Sequence, residues 1–138
     1  MKTLHLEIEL INAADESAAA GQRIAESAIR RIKAAALVNT GARRLCINEL
    51  IQSYLQLPMV DRQLFLLGNG ELRRYPVVTG LRIACMGHTL FSDAIVLPGD
   101  AEPLLGILPL KAMGLDPDSG PPPPGQPGNT LFPKSRSK

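Results

Sequence analysis

Tryptophan is absent from this chain, and aromatic residues make up only 4% of its 138 residues. Any core must therefore be built from Leu, Ile, Val and Ala. The hydrophobic content of 45% is enough for one domain of this kind. Cysteine is scarce too. Cys46 and Cys85 stand far apart, with no Cys-x-x-Cys pair, which argues against a zinc or redox site and for buried free thiols, a single disulfide being the alternative. Histidine occurs only at His5 and His88, neither in a ligand motif, so no metal and no cofactor is expected. Nowhere do about 18 uncharged apolar residues run together, and the opening Met1-Lys2-Thr3-Leu4-His5-Leu6-Glu7 lacks the apolar stretch of a signal peptide. The expectation is a cytoplasmic protein with no membrane partner. A dominant charge is also missing. The net charge of +2, with basic residues scattered except at the C-terminal end, gives no concentrated face for nucleic acid.

What is present is a succession of strand-like segments. Leu4, Leu6, Ile8 and Leu10 alternate with His5, Glu7 and Glu9, the period of a half-buried strand with His5 facing outward. Residues 13–27 favour a short helix with Asp15 as its N-cap, weakened by Gly21. From Ile29 to Val38 the pattern reads as a strand, although a helix continuing to Ala36 also fits the periodicity. Leu50, Ile51, Tyr54 and Leu55 share one helical face behind a cap at Asn48. Two hairpins follow. Gly68-Asn69-Gly70 separates Leu64–Leu67 from Leu72–Val78, and Met86-Gly87-His88 separates Gly80–Cys85 from Leu90–Val96. After a loop at Leu97–Asp100, Pro103–Leu108 reads as a buried strand broken at Gly106. A short helix from Pro109 to Met113 comes next, closed by Gly114. Residues 119–138 are Pro-rich and then basic, a tail expected to be disordered, with Leu131-Phe132 as its one apolar pair. This leaves residues 1–118 as the domain, with 12–28 as a variable insert.

One stretch organises the rest. Ala36-Leu37-Val38 ends in Asn39-Thr40-Gly41-Ala42, an apolar run that delivers small polar side chains into a tight turn. The stretch resembles the Asp-Thr-Gly-Ala box of the retropepsin-like aspartic peptidases, with Asn39 where that family keeps its catalytic aspartate. The likeness extends over roughly residues 29–118 in the order of features: box, Leu45 and Ile47, helix, Gly-rich hairpin, second hairpin, then Leu104-Leu105-Gly106 and a short helix. The resemblance implies a mainly β fold, a single-lobe closed β-barrel with two short helices acting as a homodimer. It also implies catalytic positions at Asn39, Thr40 and Gly41, and substrate-binding positions at Ala42 and at a mobile flap carrying Gly68, Asn69 and Gly70. Leu104, Leu105 and Gly106 would support the turn from behind. An extended peptide would bind as an added strand between flap and floor.

The chemistry of that family needs two facing carboxylates that share one proton, one to take a proton from water and one to polarise the carbonyl. This chain contributes one box, so a complete site requires a second copy. A carboxamide is neutral and cannot accept the proton. The chain as written is therefore expected to hydrolyse peptides very poorly or not at all. Asp61, Asp93, Asp100 and Asp116 stand near turns or strand ends, and none precedes Thr-Gly or Ser-Gly. Two other readings stand beside an inactivated peptidase: a natural pseudopeptidase that binds peptides or dimerises, and a small β domain whose box is only a buried turn. A nucleotide site is disfavoured, because Gly68-Asn69-Gly70 lacks the Lys-Ser/Thr of a P-loop.

Overall fold

A computed structural model describes residues 4–115. The tail at 119–138 and the Asp116-Pro117-Asp118 turn lie outside them. The described part of the chain is mainly β, with seven strands: β1 (His5–Asn12), β2 (Arg31–Val38), β3 (Cys46–Asn48), β4 (Met59–Leu66), β5 (Leu72–Cys85), β6 (His88–Leu97) and β7 (Leu104–Leu105). Three short helices, α1 (Ala13–Ala20), α2 (Glu49–Leu55) and α3 (Ile107–Ala112), complete it. The strand order is β1-β2-β7-β3-β6-β5-β4, and β1 also pairs with β5. Six strands thus run in a closed circuit, and β4 hangs from β5 outside it.

The inward residues of the alternating strands make an aliphatic core. Ile8, Leu10, Leu45, Ile47, Leu81, Ile83, Leu105 and Leu110 are buried together, with Leu55 of α2 closing one side. Cys46 and Cys85 are buried and unbonded to each other. His5 lies on the outward side of β1, its Nε2 2.6 Å from Glu102. No helix among the described residues is long and apolar enough to cross a membrane.

Several local expectations need correction. The cap of α1 is Asn12, whose side-chain oxygen accepts from the Asp15 amide at 3.1 Å. Asp15 is instead buried, and it accepts from the Arg30 amide and guanidinium at 2.8–2.9 Å. A cap needs its side chain to reach the amides of the first turn, and Asn12 already does so. Asn48 does cap α2, accepting from the Ile51 amide at 2.8 Å. Only Ile51 and Leu55 of that helix are buried, while Leu50 and Tyr54 are 64% and 52% exposed. In a helix this short, one i, i+4 pair faces the core and the neighbouring pair, about 100° round, faces solvent.

The two hairpins share one long strand rather than meeting at a break. β5 runs from Leu72 to Cys85 through Gly80, whose φ of +80° accompanies a register shift against β6 between Val78 and Leu81. At the other end of the chain, Ile107 and Leu108 are helical, not strand. β7 is only Leu104–Leu105 because the amides of Ile107 and Leu108 turn to the carbonyls of Ala42 and Arg43, at 2.8 and 3.0 Å. Gly114, with φ +74°, follows the Met113 cap of α3.

Candidate active site

β2 carries Ala36, fully buried, down to a turn at residues 39–42. Its end is held on both sides. The Val38 amide donates to the Leu4 carbonyl at 2.8 Å, and the Leu37 amide donates to the Pro103 carbonyl at 2.9 Å. β7 runs parallel to β2, pairing Leu37 with Leu104 and Val38 with Leu105. One step further, the Asn39 amide donates to the Leu105 carbonyl at 3.1 Å. Sequence-distant apolar residues therefore fix the backbone at Asn39.

The turn itself is closed by Asn39. Its carbonyl accepts from the Ala42 amide and its side-chain oxygen from the Gly41 amide, both at 3.0 Å. The carboxamide oxygen is thereby committed within the turn, and the NH2 group remains as a donor. A Cβ at Gly41 would stand 3.2 Å from that oxygen, a tight contact that the Asn39 side chain would have to yield to by a few tenths of an ångström. Thr40 and Gly41 are exposed, and the Thr40 hydroxyl makes no hydrogen bond to a described residue.

Gly106 is buried behind the turn. A Cβ on it would stand 2.6–2.7 Å from the Arg43 and Arg44 backbone, a contact no side chain tolerates. The structure thus brings Asn39-Thr40-Gly41-Ala42 together with Leu104-Leu105-Gly106. It does not bring Gly68, Asn69 and Gly70 into hydrogen-bond contact with that turn. These three form the tip of the β4–β5 hairpin, where the Glu71 amide donates to the Asn69 side chain at 3.0 Å and Gly70 adopts φ +88°.

The connection between turn and hairpin is made by residues that sequence reasoning missed. Arg44 donates to the Gln63 side-chain oxygen of β4 at 2.7 Å and stands 4.0 Å from the Asp93 carboxylate of β6. Asp93 in turn accepts from the Thr79 hydroxyl of β5 at 2.6 Å. The signal available was a charged residue two places past Ala42 at the entry to a buried strand. Beside Arg44 opens a groove of about 260 Å³ whose walls are Leu45, Leu90, Leu108, Pro109 and Ala112.

No carboxylate of the described residues bonds to the Asn39 turn. Asp61 accepts from the Arg62 amide at 2.8 Å, and Asp93 is engaged as above. The pattern of acid, hydroxyl residue and glycine does recur, at Asp118-Ser119-Gly120, outside the described residues. Leu115-Asp116-Pro117 stands ahead of it instead of an apolar run. Burial pushes the Cys46 thiol up to about 11 and raises Cys85 as well, so neither is poised as a nucleophile near neutral pH. Among the described residues no group of three or more His, Cys, Asp or Glu side chains is arranged to hold a metal ion. The described residues of a single chain therefore offer one neutral amide on a closely backed turn, with no carboxylate among them bonded to it. No known protein-family model matches this chain, and no curated protein matches it.

Proposed function

We propose that the chain is a retropepsin-like aspartic endopeptidase scaffold, its strand circuit serving as the single-lobe barrel of that family and its site completed by a second copy. The observation that carries this reading is the clasp at Asn39. A small polar turn at the end of a buried strand is backed by the Leu104-Leu105-Gly106 segment through the Asn39–Leu105 hydrogen bond and the close approach of Gly106. A backing this tight holds side chains at fixed angles, which a shared-proton dyad requires. A hairpin linked to the same turn through Arg44 suits an extended peptide bound beneath it.

With Asn39 in both copies, neither a general base nor a general acid is available at the dyad, and the Asn39 form hydrolyses peptides very poorly or not at all. The test is Asn39→Asp. Its carboxylate can still accept from the Gly41 amide, so the turn survives the change. We expect peptide cleavage at acidic to neutral pH, blocked by a pepstatin-like inhibitor, at least about 10²-fold above the Asn39 form. An inert Asp form ends the peptidase reading. Asn39 itself favours a second reading, a pseudopeptidase that keeps a peptide groove. Retained peptide binding by an inert Asp form would support it.

A further inference from the structure

The outward face of the β4–β5 hairpin is both apolar and cationic. The register sets Leu66 opposite Leu72, Leu64 opposite Arg74 and Arg62 opposite Pro76. By the two-residue period of a strand, these six side chains share one face. Leu64, Leu66 and Leu72 are 50%, 72% and 60% exposed, and Arg62 and Arg74 are exposed beside them. Neither guanidinium pairs with a carboxylate among the described residues. The hairpin's acids belong elsewhere. Asp61 lies opposite Val77 on the other face, and Glu71 is 2.9 Å from Arg73. That other face carries Gln63, which bonds Arg44, and the stacked Phe65 and Tyr75. β4 also ends the strand order, so one edge of its backbone has no strand partner among the described residues. Arg62 alone would be an ordinary charge guarding an edge; three adjoining exposed leucines are not.

We propose that this edge and face take up an extended acidic and apolar segment of a partner protein. The segment adds as a strand beside β4, sets its carboxylates against Arg62 and Arg74, and lays its apolar side chains on Leu64 and Leu66. Main-chain bonds to a free edge supply attraction, and alternate side chains supply selection. The chain's own basic end is a poor occupant, because Lys134, Arg136 and Lys138 repeat the charge already present. A second copy paired through β4 would put four guanidiniums and no carboxylate on one continuous face. An anionic bilayer would answer the arginines but leave the backbone edge unused. The surface lies on the side of the hairpin away from Gln63 and Arg44, so the proposal does not rest on the peptidase reading.

The test is fluorescence anisotropy with the full chain and two labelled nonapeptides. One is Thr-Glu-Thr-Leu-Thr-Leu-Thr-Glu-Thr, and the other carries Lys in place of Glu. The Glu peptide should bind about tenfold more tightly, the size expected of two exposed charge pairs made attractive rather than repulsive. Arg62→Glu with Arg74→Glu should reverse the preference, and Arg62→Lys with Arg74→Lys should keep it, circular dichroism checking the fold of each. Equal affinity for the two peptides, binding of neither, or indifference to the charge reversal overturns the proposal. So does Arg-dependent capture by phosphatidylserine vesicles without peptide binding.

Discussion

Gly106 packs so closely against Arg44 that a Cβ built on it would stand 2.6 Å from the Arg44 carbonyl oxygen and 2.7 Å from the Arg44 nitrogen. Its φ of −82° suits any residue, so the requirement is steric rather than conformational. Gly106→Ala must push the loop after the Asn39 turn away from β7. We expect it to cost about 3 kcal/mol, at the upper end of overpacking effects, as read by urea denaturation. Gly68→Ala, where nothing lies within 4 Å, should stay within about 0.5 kcal/mol.

Arg44 ties the floor to the hairpin chiefly through Gln63, because the Asp93 carboxylate at 4.0 Å is at the limit of an ion pair. Gln63→Ala should therefore loosen β4 against its support. Amide hydrogen exchange in the paired stretch Asp61–Leu66 should speed up about tenfold, the scale of one hydrogen bond to a charged group. Asp93→Asn should move it less. Unchanged exchange in the Gln63 variant would show that the hairpin is held by its other contacts.

On the proposed assembly, the residues at position 39 face each other across the two-fold axis. Two aspartates there repel unless a proton is shared, whereas two carboxamides carry no charge and can bond. The Asn39 dimer should thus be at least as tight as the Asn39→Asp dimer in sedimentation velocity across a concentration series. A looser Asn39 dimer would contradict the facing arrangement.

Asp15 carries the acid sensitivity of the α1 corner. The Arg30 guanidinium bonded to it holds its carboxyl below the ordinary 3.8, outweighing the opposing effect of burial. A depressed folded-state value means the contribution is complete above the unfolded pKa and is lost as the pH falls through the folded one. Urea midpoints should decline from about pH 4 downward, and Asp15→Asn should flatten that decline. Glu16, lowered by Arg82, adds to the same limb.

Much of this fold was legible because strand alternation is a strong local signal. Leu4 to Leu10, the Asn69-Gly70 turn and the Asn48 cap can each be read from a few neighbouring residues. Asn39-Thr40-Gly41 and Leu104-Leu105-Gly106 were legible too, as separate motifs. Features set by distant partners were not. Leu50 and Tyr54 carry no local mark that α2 would bury the other stripe. Gly80 looks like a strand break, yet pairing on both sides of β5 carries the strand through it as a bulge. Ile107 and Leu108 look like strand, yet the carbonyls of Ala42 and Arg43 draw their amides into a helix start. Asp15 had the composition of a cap, and only the arrival of Arg30, fifteen residues on, makes it the anchor of a corner.

The circuit of strands sets an order for assembly on the ribosome. β1 needs partners from residues 31–37 and again from residues 81–84, and the clasp behind Asn39 needs Leu105. At about 5–20 residues per second, the first strand waits several seconds in the nascent chain for its second neighbour. Closure is nonlocal and correspondingly slow. A translation product halted before residue 104 would keep only the Leu4 side of the support at Asn39 and would leave open the core that Leu105 and Leu110 complete, an apolar surface for chaperones to hold.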